Sequence, residues 1–155
     1  MNSLIVCKSI HHGNTKKIAS AIAEVLQAEI VSPEEVSYDQ LNEYDLIGFG
    51  SGIYFSKLHR SIEEFVDEMP ILEGGKAFLF FTHGLDHLYW ARLGRQPVSE
   101  KLEEKGFEIV GEFGCKGYQS NMPFRLVGGI NKGRPNEEDL EASRDFARNL
   151  LAGMT

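Results

Sequence analysis

The residues Lys8-Ser9-Ile10-His11-His12-Gly13-Asn14-Thr15 place hydroxyls, an amide, two imidazoles and a glycine between an apolar run, Leu4 to Cys7, and an amphipathic stretch, "KKIASAIAEVLQ". Two chemistries suit these residue types. Imidazoles act as acids, bases or metal ligands near neutral pH. Alternatively, Gly13 permits close backbone approach, Ser9, Asn14 and Thr15 offer side-chain donors, and first-turn helix amides complete an anion nest without Lys or Arg. A plain strand-to-helix turn capped by Asn14 or Thr15 accounts for the same residues.

The remaining histidines lie in two similar segments. All five, His11, His12, His59, His83 and His87, fall within "SIHHGNT", "SGIYFSKLH" and "THGLDHLYW", and so do Tyr54, Phe55, Tyr89 and Trp90. His83 and His87 have i, i+4 spacing, but no carboxylate or cysteine completes a recognisable ligand set, so no metal is expected. "GFGSG" is not the G-x-S-x-G nucleophile elbow, and no catalytic residue is assigned. Neither G-x-x-x-x-G-K-[ST] nor G-x-G-x-x-G occurs.

The elements that position these segments follow from hydropathy. Leu4 to Cys7 is too short for a helix and reads as a buried strand. From Thr15 to about Gln27, Ile18, Ala19, Ile22, Ala23 and Leu26 recur at helical spacing. Ala28 to Val31 is a second strand ended by Ser32-Pro33, with a small helical turn between residues 34 and 44. Asp45 to Gly52 is a third strand, and "HRSIEEFVDEM" is a helix stopped by Pro70. Lys76 to His83 reads as a fully buried central strand. A helix over 94–105 precedes a fifth strand, "FEIVGEFGCKGY". A last helix is capped by Asn136 and runs to about Leu151, with Glu137, Glu138 and Asp139 at its positive end.

Short buried strands alternating with helices imply parallel strands and right-handed crossovers, hence a three-layer α/β/α sandwich with a five-stranded parallel sheet. One domain over residues 1–155 is expected. In such a sheet ligands gather at the carboxyl ends of the strands, where the three histidine-bearing segments fall. The glycine-rich stretch from Ser120 to Arg134 is the least regular part.

A net charge of -7 argues against general nucleic-acid binding. No apolar run approaches the roughly 20 residues of a membrane span, and Ser9 to Lys17 is too polar for a signal peptide. Cys7 and Cys115 both fall inside strands, which fits a reduced, cytoplasmic chain with buried thiols.

Taken together, Ser9-x-x-x-Gly13-Asn14-Thr15, Gly50-Ser51-Gly52-Ile53-Tyr54, Thr82-His83-Gly84 and "GRPNEEDLE" at the last helix resemble the flavodoxin family over nearly the whole chain. The resemblance implies strand order 2-1-3-4-5, non-covalent FMN, and single-electron transfer between redox proteins, a donor reductase and an acceptor enzyme, by a monomer or weak dimer. It implies that Ser9, Ile10, His11, His12, Gly13, Asn14 and Thr15 wrap the FMN phosphate. Ser51, Gly52, Ile53, Tyr54 and Phe55 match the second binding loop, and Thr82, His83, Gly84, Asp86 and His87 the third. Tyr54 and one of His87, Tyr89 or Trp90 would supply flat walls for the ring. Asp86 beside the ring would disfavour its anionic reduced form. The chain departs from the family at Ile10, His11 and His12, which replace threonines. Its "IYFSKLH" segment is also similar to the flavodoxin-fold protoporphyrinogen oxidase, so an FMN oxidoreductase of that kind, or a quinone reductase, is the alternative.

Overall fold

The structure is a computed structural model that describes residues 1–10, 13–54, 57–84, 97–117 and 131–155, with only the backbone of Tyr54. In chain order the elements are β1 (Ser3–Lys8), α1 (Asn14–Leu26), β2 (Glu29–Val31), β3 (Leu46–Tyr54), β4 (Lys57–Leu58), α2 (Arg60–Glu68), β5 (Gly75–His83), α3 (97–104), β6 (Phe107–Lys116) and α4 (Glu137–Met154). The short turn expected near residues 34 to 44 is two 3-10 turns, Pro33–Glu35 and Tyr38–Glu43.

The parallel strands run in the order β2-β1-β3-β5-β6. That is the expected 2-1-3-4-5 order once the two-residue β4, which pairs antiparallel with the end of β3, is set aside. Each apolar strand is buried on both faces because helices cover both sides. Leu4, Val6, Ile47, Phe49, Ala77, Leu79 and Phe81 pack toward α2 and α3, with Ile62, Phe65, Val66, Val98 and Leu102. Ile5, Cys7, Phe78, Phe80 and Cys115 pack toward α1 and α4, with Ile18, Ile22, Ala147 and Leu150.

The third strand is longer than expected. It continues past Gly52 to Tyr54, where Ile53 and Tyr54 pair with Leu58 and Lys57 of β4, and its glycines at 48 and 50 are packing positions. Gly48 and Gly50 stand in register with Phe78 and Phe80 of β5. A Cβ on Gly48 would lie 2.3 Å from the Phe78 ring, and one on Gly50 would lie 2.2 Å from the Phe80 ring. Each phenylalanine lies across its glycine neighbour, which keeps the middle of the sheet dense on the α1 side.

The helix termini follow local chemistry. Gly13 precedes α1 with φ 64°, and Gln27 ends it with φ 53°, both left-handed. Asn136 caps α4 by accepting from the Asp139 amide, and Asp139 returns a bond to the Asn136 amide, a reciprocal capping box.

A candidate cofactor site at the carboxyl edge of the sheet

The carboxyl ends of β1, β3 and β5 are adjacent, so the described parts of the three segments singled out in the sequence lie along one edge. The first of them turns from β1 into α1. The left-handed Gly13 lets the chain reverse sharply, and a Cβ there would meet nothing within 4 Å, so its space stays open. The Ser9 hydroxyl oxygen accepts from the Lys16 amide at 3.2 Å. A hydroxyl that accepts there keeps its hydrogen for a second partner. The Thr15 amide has no partner among the described residues, and it lies at the positive end of α1.

Thr15 itself points inward, 2% exposed, and its hydroxyl oxygen lies 2.8 Å from that of Thr82 at the end of β5. Asn14 reaches the end of β6, where a Cβ on Gly117 would sit 2.8 Å from its amide nitrogen. Gly117 donates its amide to the His83 carbonyl at 2.9 Å. The Asn131 side chain donates to the Gly84 carbonyl. The start of α1 and the end of β5 are thus tied together by side chains. Sequence reasoning found Thr15 and Thr82 but missed Gly117 and Asn131, whose partners become visible only once β6 is placed beside β5.

The second segment is built differently. Ser51 is fully buried; its hydroxyl donates to the Gly52 carbonyl at 2.7 Å and accepts from the His59 amide at 2.9 Å. It therefore closes the β3–β4 turn and holds Gly52, which stands opposite Thr82 in register. Ile53 is half-buried opposite Leu58.

His59 is the N-cap of α2. Its Nδ1 accepts from the Ser61 amide at 3.1 Å and lies 2.8 Å from the Ser61 hydroxyl. Burial, and then the positive charge of Lys8, lower its pKa from the ordinary imidazole value. Lys8 pairs with Glu34 at 3.3 Å. His83 is buried, with its ring 6.2 Å from that of Phe81. Ile10 is exposed. His11, His12, Phe55, Asp86 and His87 lie outside the described residues, as do Tyr89 and Trp90. Among the described residues no cluster of three or more His, Cys, Asp or Glu could hold a metal ion, and no helix is long and apolar enough to cross a membrane.

A left-handed glycine, the first-turn amides of α1 and the Ser9 hydroxyl stand together at the start of α1, with the Thr15–Thr82 hydroxyl pair behind them. A left-handed glycine followed by the first-turn amides of a helix is an arrangement able to hold an anion.

Comparisons with known proteins bear on the family and the fold. The chain matches the flavodoxin domain model over residues 4–114. It is 48% identical, over 97% of its own length and 99% of the relative's, to an uncharacterized protein of Methanocaldococcus jannaschii. Its fold superposes on a flavodoxin from the domain Archaea with TM-score 0.67 and 22% identity, covering 97% of this chain and 99% of that one. Oxidised flavodoxin 1 from Bacillus cereus gives TM-score 0.71 and 21% identity, covering 97% of this chain and 98% of that one. With these matches laid over the edge just described, the chain belongs to the flavodoxin family.

Proposed function

We propose that the protein binds FMN non-covalently and carries single electrons between redox proteins. The observation that carries the reading is the cradle at the start of α1, with the buried Thr15–Thr82 hydroxyl pair behind it, in a chain of flavodoxin fold. Bound FMN would supply reversible one-electron chemistry. Ser9 would donate its free hydroxyl hydrogen to the phosphate, and the Gly13, Asn14 and Thr15 amides would face it from the helix end. Ser51 would act through Gly52, whose carbonyl it holds. Ile10, His11 and His12 complete the proposed phosphate loop; Ile53, Tyr54, Phe55, His83, Gly84, Asp86 and His87 complete the proposed set, with Tyr54 and one of His87, Tyr89 or Trp90 as ring walls.

The proposed setting is cytoplasmic, because both thiols are free and buried. The proposed partners, a donor reductase and an acceptor enzyme, follow from the family and from the acidic charge of the chain, which suits steering toward basic surfaces.

Reconstitution tests this reading. A yellow one-to-one complex with FMN that is reduced in two separate one-electron steps is the expected result. Absence of a complex removes the cofactor. Steady oxidation of NADH or NADPH by the purified holoprotein alone would replace the carrier with an oxidoreductase.

A further inference from the structure

One buried hydroxyl closes the β3–β4 turn, and it is tied to a helix cap that titrates. The Ser51 oxygen accepts from the His59 amide at 2.9 Å, and its hydrogen goes to the Gly52 carbonyl at 2.7 Å. His59 in turn is the N-cap of α2, where its Nδ1 accepts from the Ser61 amide at 3.1 Å. Its carbonyl accepts from the Ile62 amide at 2.9 Å, so its backbone belongs to the first turn of the helix. One residue thus joins the start of α2, by its ring and carbonyl, to the end of β3, by its amide.

Histidine is not among the residues preferred at an N-cap. Asparagine or serine would accept from the Ser61 amide at any pH near neutral, whereas histidine accepts only while Nδ1 is unprotonated, with the ring proton on Nε2. A proton on Nδ1 turns the acceptor into a donor and leaves the Ser61 amide without it. It also puts a positive charge at the positive end of α2. The Ser61 hydroxyl, 2.8 Å from Nδ1, is the acceptor at hand for the new N–H.

Among the described residues, the charged groups that face the ring come from three elements. Lys8 at the end of β1 opposes the proton, while Glu34 of the Pro33–Glu35 turn and Glu64 of α2 favour it. Lys8 and Glu34 pair at 3.3 Å and offset one another, and Glu64 pairs with Arg60 at 2.5 Å. On the β4 side Lys57 acts on Glu63 of α2, and β3 presents the Ser51 hydroxyl. With burial added, the ring is neutral at pH 7.

Gly52 is where this chain of bonds meets the proposed site. It is buried at the carboxyl edge, opposite Thr82 of β5, whose hydroxyl meets that of Thr15 behind the start of α1. A glycine peptide turns against little steric resistance, so the Ser51 hydroxyl has leverage over where the Gly52 carbonyl points.

We propose that His59 is a positioning residue for flavin binding. A proton on its ring opens the cap of α2, draws the His59 amide from Ser51 and frees the Gly52 carbonyl, so the holoprotein releases flavin more readily in acid. The proposal rests on the flavin reading above and adds to it a control by pH.

Two measurements test it. The first follows the full chain without ligand by NMR from pH 8 to 5. The Ile53 amide nitrogen is bonded to the Gly52 carbonyl carbon, and its shift should titrate with the midpoint of the His59 ring. That titration should vanish in His59→Asn, which caps without titrating, and in Ser51→Ala, which breaks the link. The second is FMN affinity at pH 7.5 and pH 5, read by flavin fluorescence. The loss on acidification should be about fivefold larger in the wild type than in His59→Asn, a modest coupling between sites. Ionisation of the FMN phosphate near pH 6 is common to both proteins and cancels in the comparison. An Ile53 resonance that ignores the His59 ring overturns the relay, and equal losses of affinity in the two proteins overturn its control of the flavin. If FMN binds at neither pH, the flavin reading fails, and Ile53 alone decides the relay: a titration keeps it, a flat response removes it.

Discussion

The hydroxyl oxygens of Thr15 and Thr82 lie 2.8 Å apart in the interior, 67 residues apart in sequence, and join the first turn of α1 to the last turn of backbone in β5. The two hydroxyls hold two hydrogens, and only one can lie between the oxygens. The other is left on whichever hydroxyl accepts. Thr82 donating inward would free Thr15 to donate outward.

Removing that inward donor should therefore affect a phosphate more than a flavin ring. Thr82→Val should weaken FMN by about tenfold while changing riboflavin little, and Thr82→Ser should restore FMN binding. Flavin fluorescence titrations with both ligands read the ratio. Equal losses for FMN and riboflavin would show that Thr82 serves the ring or the packing instead.

The glycines of β3 make a separate prediction. At Gly48 or Gly50 a methyl group would fall inside the radius of the Phe78 or Phe80 ring. Gly48→Ala and Gly50→Ala should each destabilise the protein by about 1–3 kcal/mol through overpacking, visible as a lower urea midpoint. A strand glycine free of such contact would gain stability from alanine, so the sign of the change decides.

The cap of α2 titrates. Nδ1 of His59 accepts from the Ser61 amide only when neutral, and burial, then Lys8, opposed by Glu34 and Glu64, lower its folded pKa. Below the unfolded value of about 6.5 the unfolded chain takes up a proton that the folded chain resists. The stabilisation is thus fully present above about pH 6.5 and is lost as the pH falls toward the folded pKa. His59→Asn, a cap that does not titrate, should flatten that part of the stability curve measured by urea unfolding from pH 7.5 to 5. An unchanged slope would remove His59 as its source.

Asp139 titrates in the opposite chemical sense with the same direction of loss. Burial raises its pKa, but the Arg134 guanidinium, at 2.5 and 2.6 Å, and the Asn136 amide overcome this and leave it lowered. It therefore stabilises above its unfolded pKa, near 3.8, and loses that contribution as the pH falls through the folded value. Arg134 is 34% exposed, so solvent screening limits the pair, and Asp139→Ala should cost about 1–2 kcal/mol at pH 7, cap included. The gap to wild type should close at low pH; a gap that persists there would assign the loss to packing.

Both thiols should be inert in the folded protein. Burial pushes Cys7 and Cys115 up to about 12, and reaction requires the thiolate. Labelling by a disulfide reagent should proceed at the rate of unfolding and accelerate in urea. Fast labelling of the native chain would contradict their burial.

Much of this was legible in the sequence, for physical reasons that differ by element. The buried runs Leu4 to Cys7 and Lys76 to His83 have no polar face to place outward, so central strands were the only economical reading. The cap at Asn136 was legible because its partner lies three residues away. The end of β3 was not. The sequence placed Gly48, Gly50, Ser51 and Gly52 in a strand ending at Gly52, whereas the strand runs on to Tyr54, two of the glycines give space to Phe78 and Phe80, and the serine is a buried link to His59. The signal was present as alternating glycine in one strand and alternating phenylalanine in another, but only register shows that they meet. His59 looked like a loop imidazole for the same reason: its role depends on Ser61 and on the start of α2. The "GNT" turn was legible as an anion cradle, while the partner of Thr15 lay 67 residues away.

The glycine and phenylalanine pairs of β3 and β5 also bear on how this chain can diverge. Gly48 with Phe78, and Gly50 with Phe80, each fill one shared space. Neither member can grow unless its partner shrinks, so single changes are blocked while paired exchanges remain open. Among relatives that keep the fold, alanine at position 50 should appear with leucine or a smaller side chain at position 80, so that the two sites evolve as one.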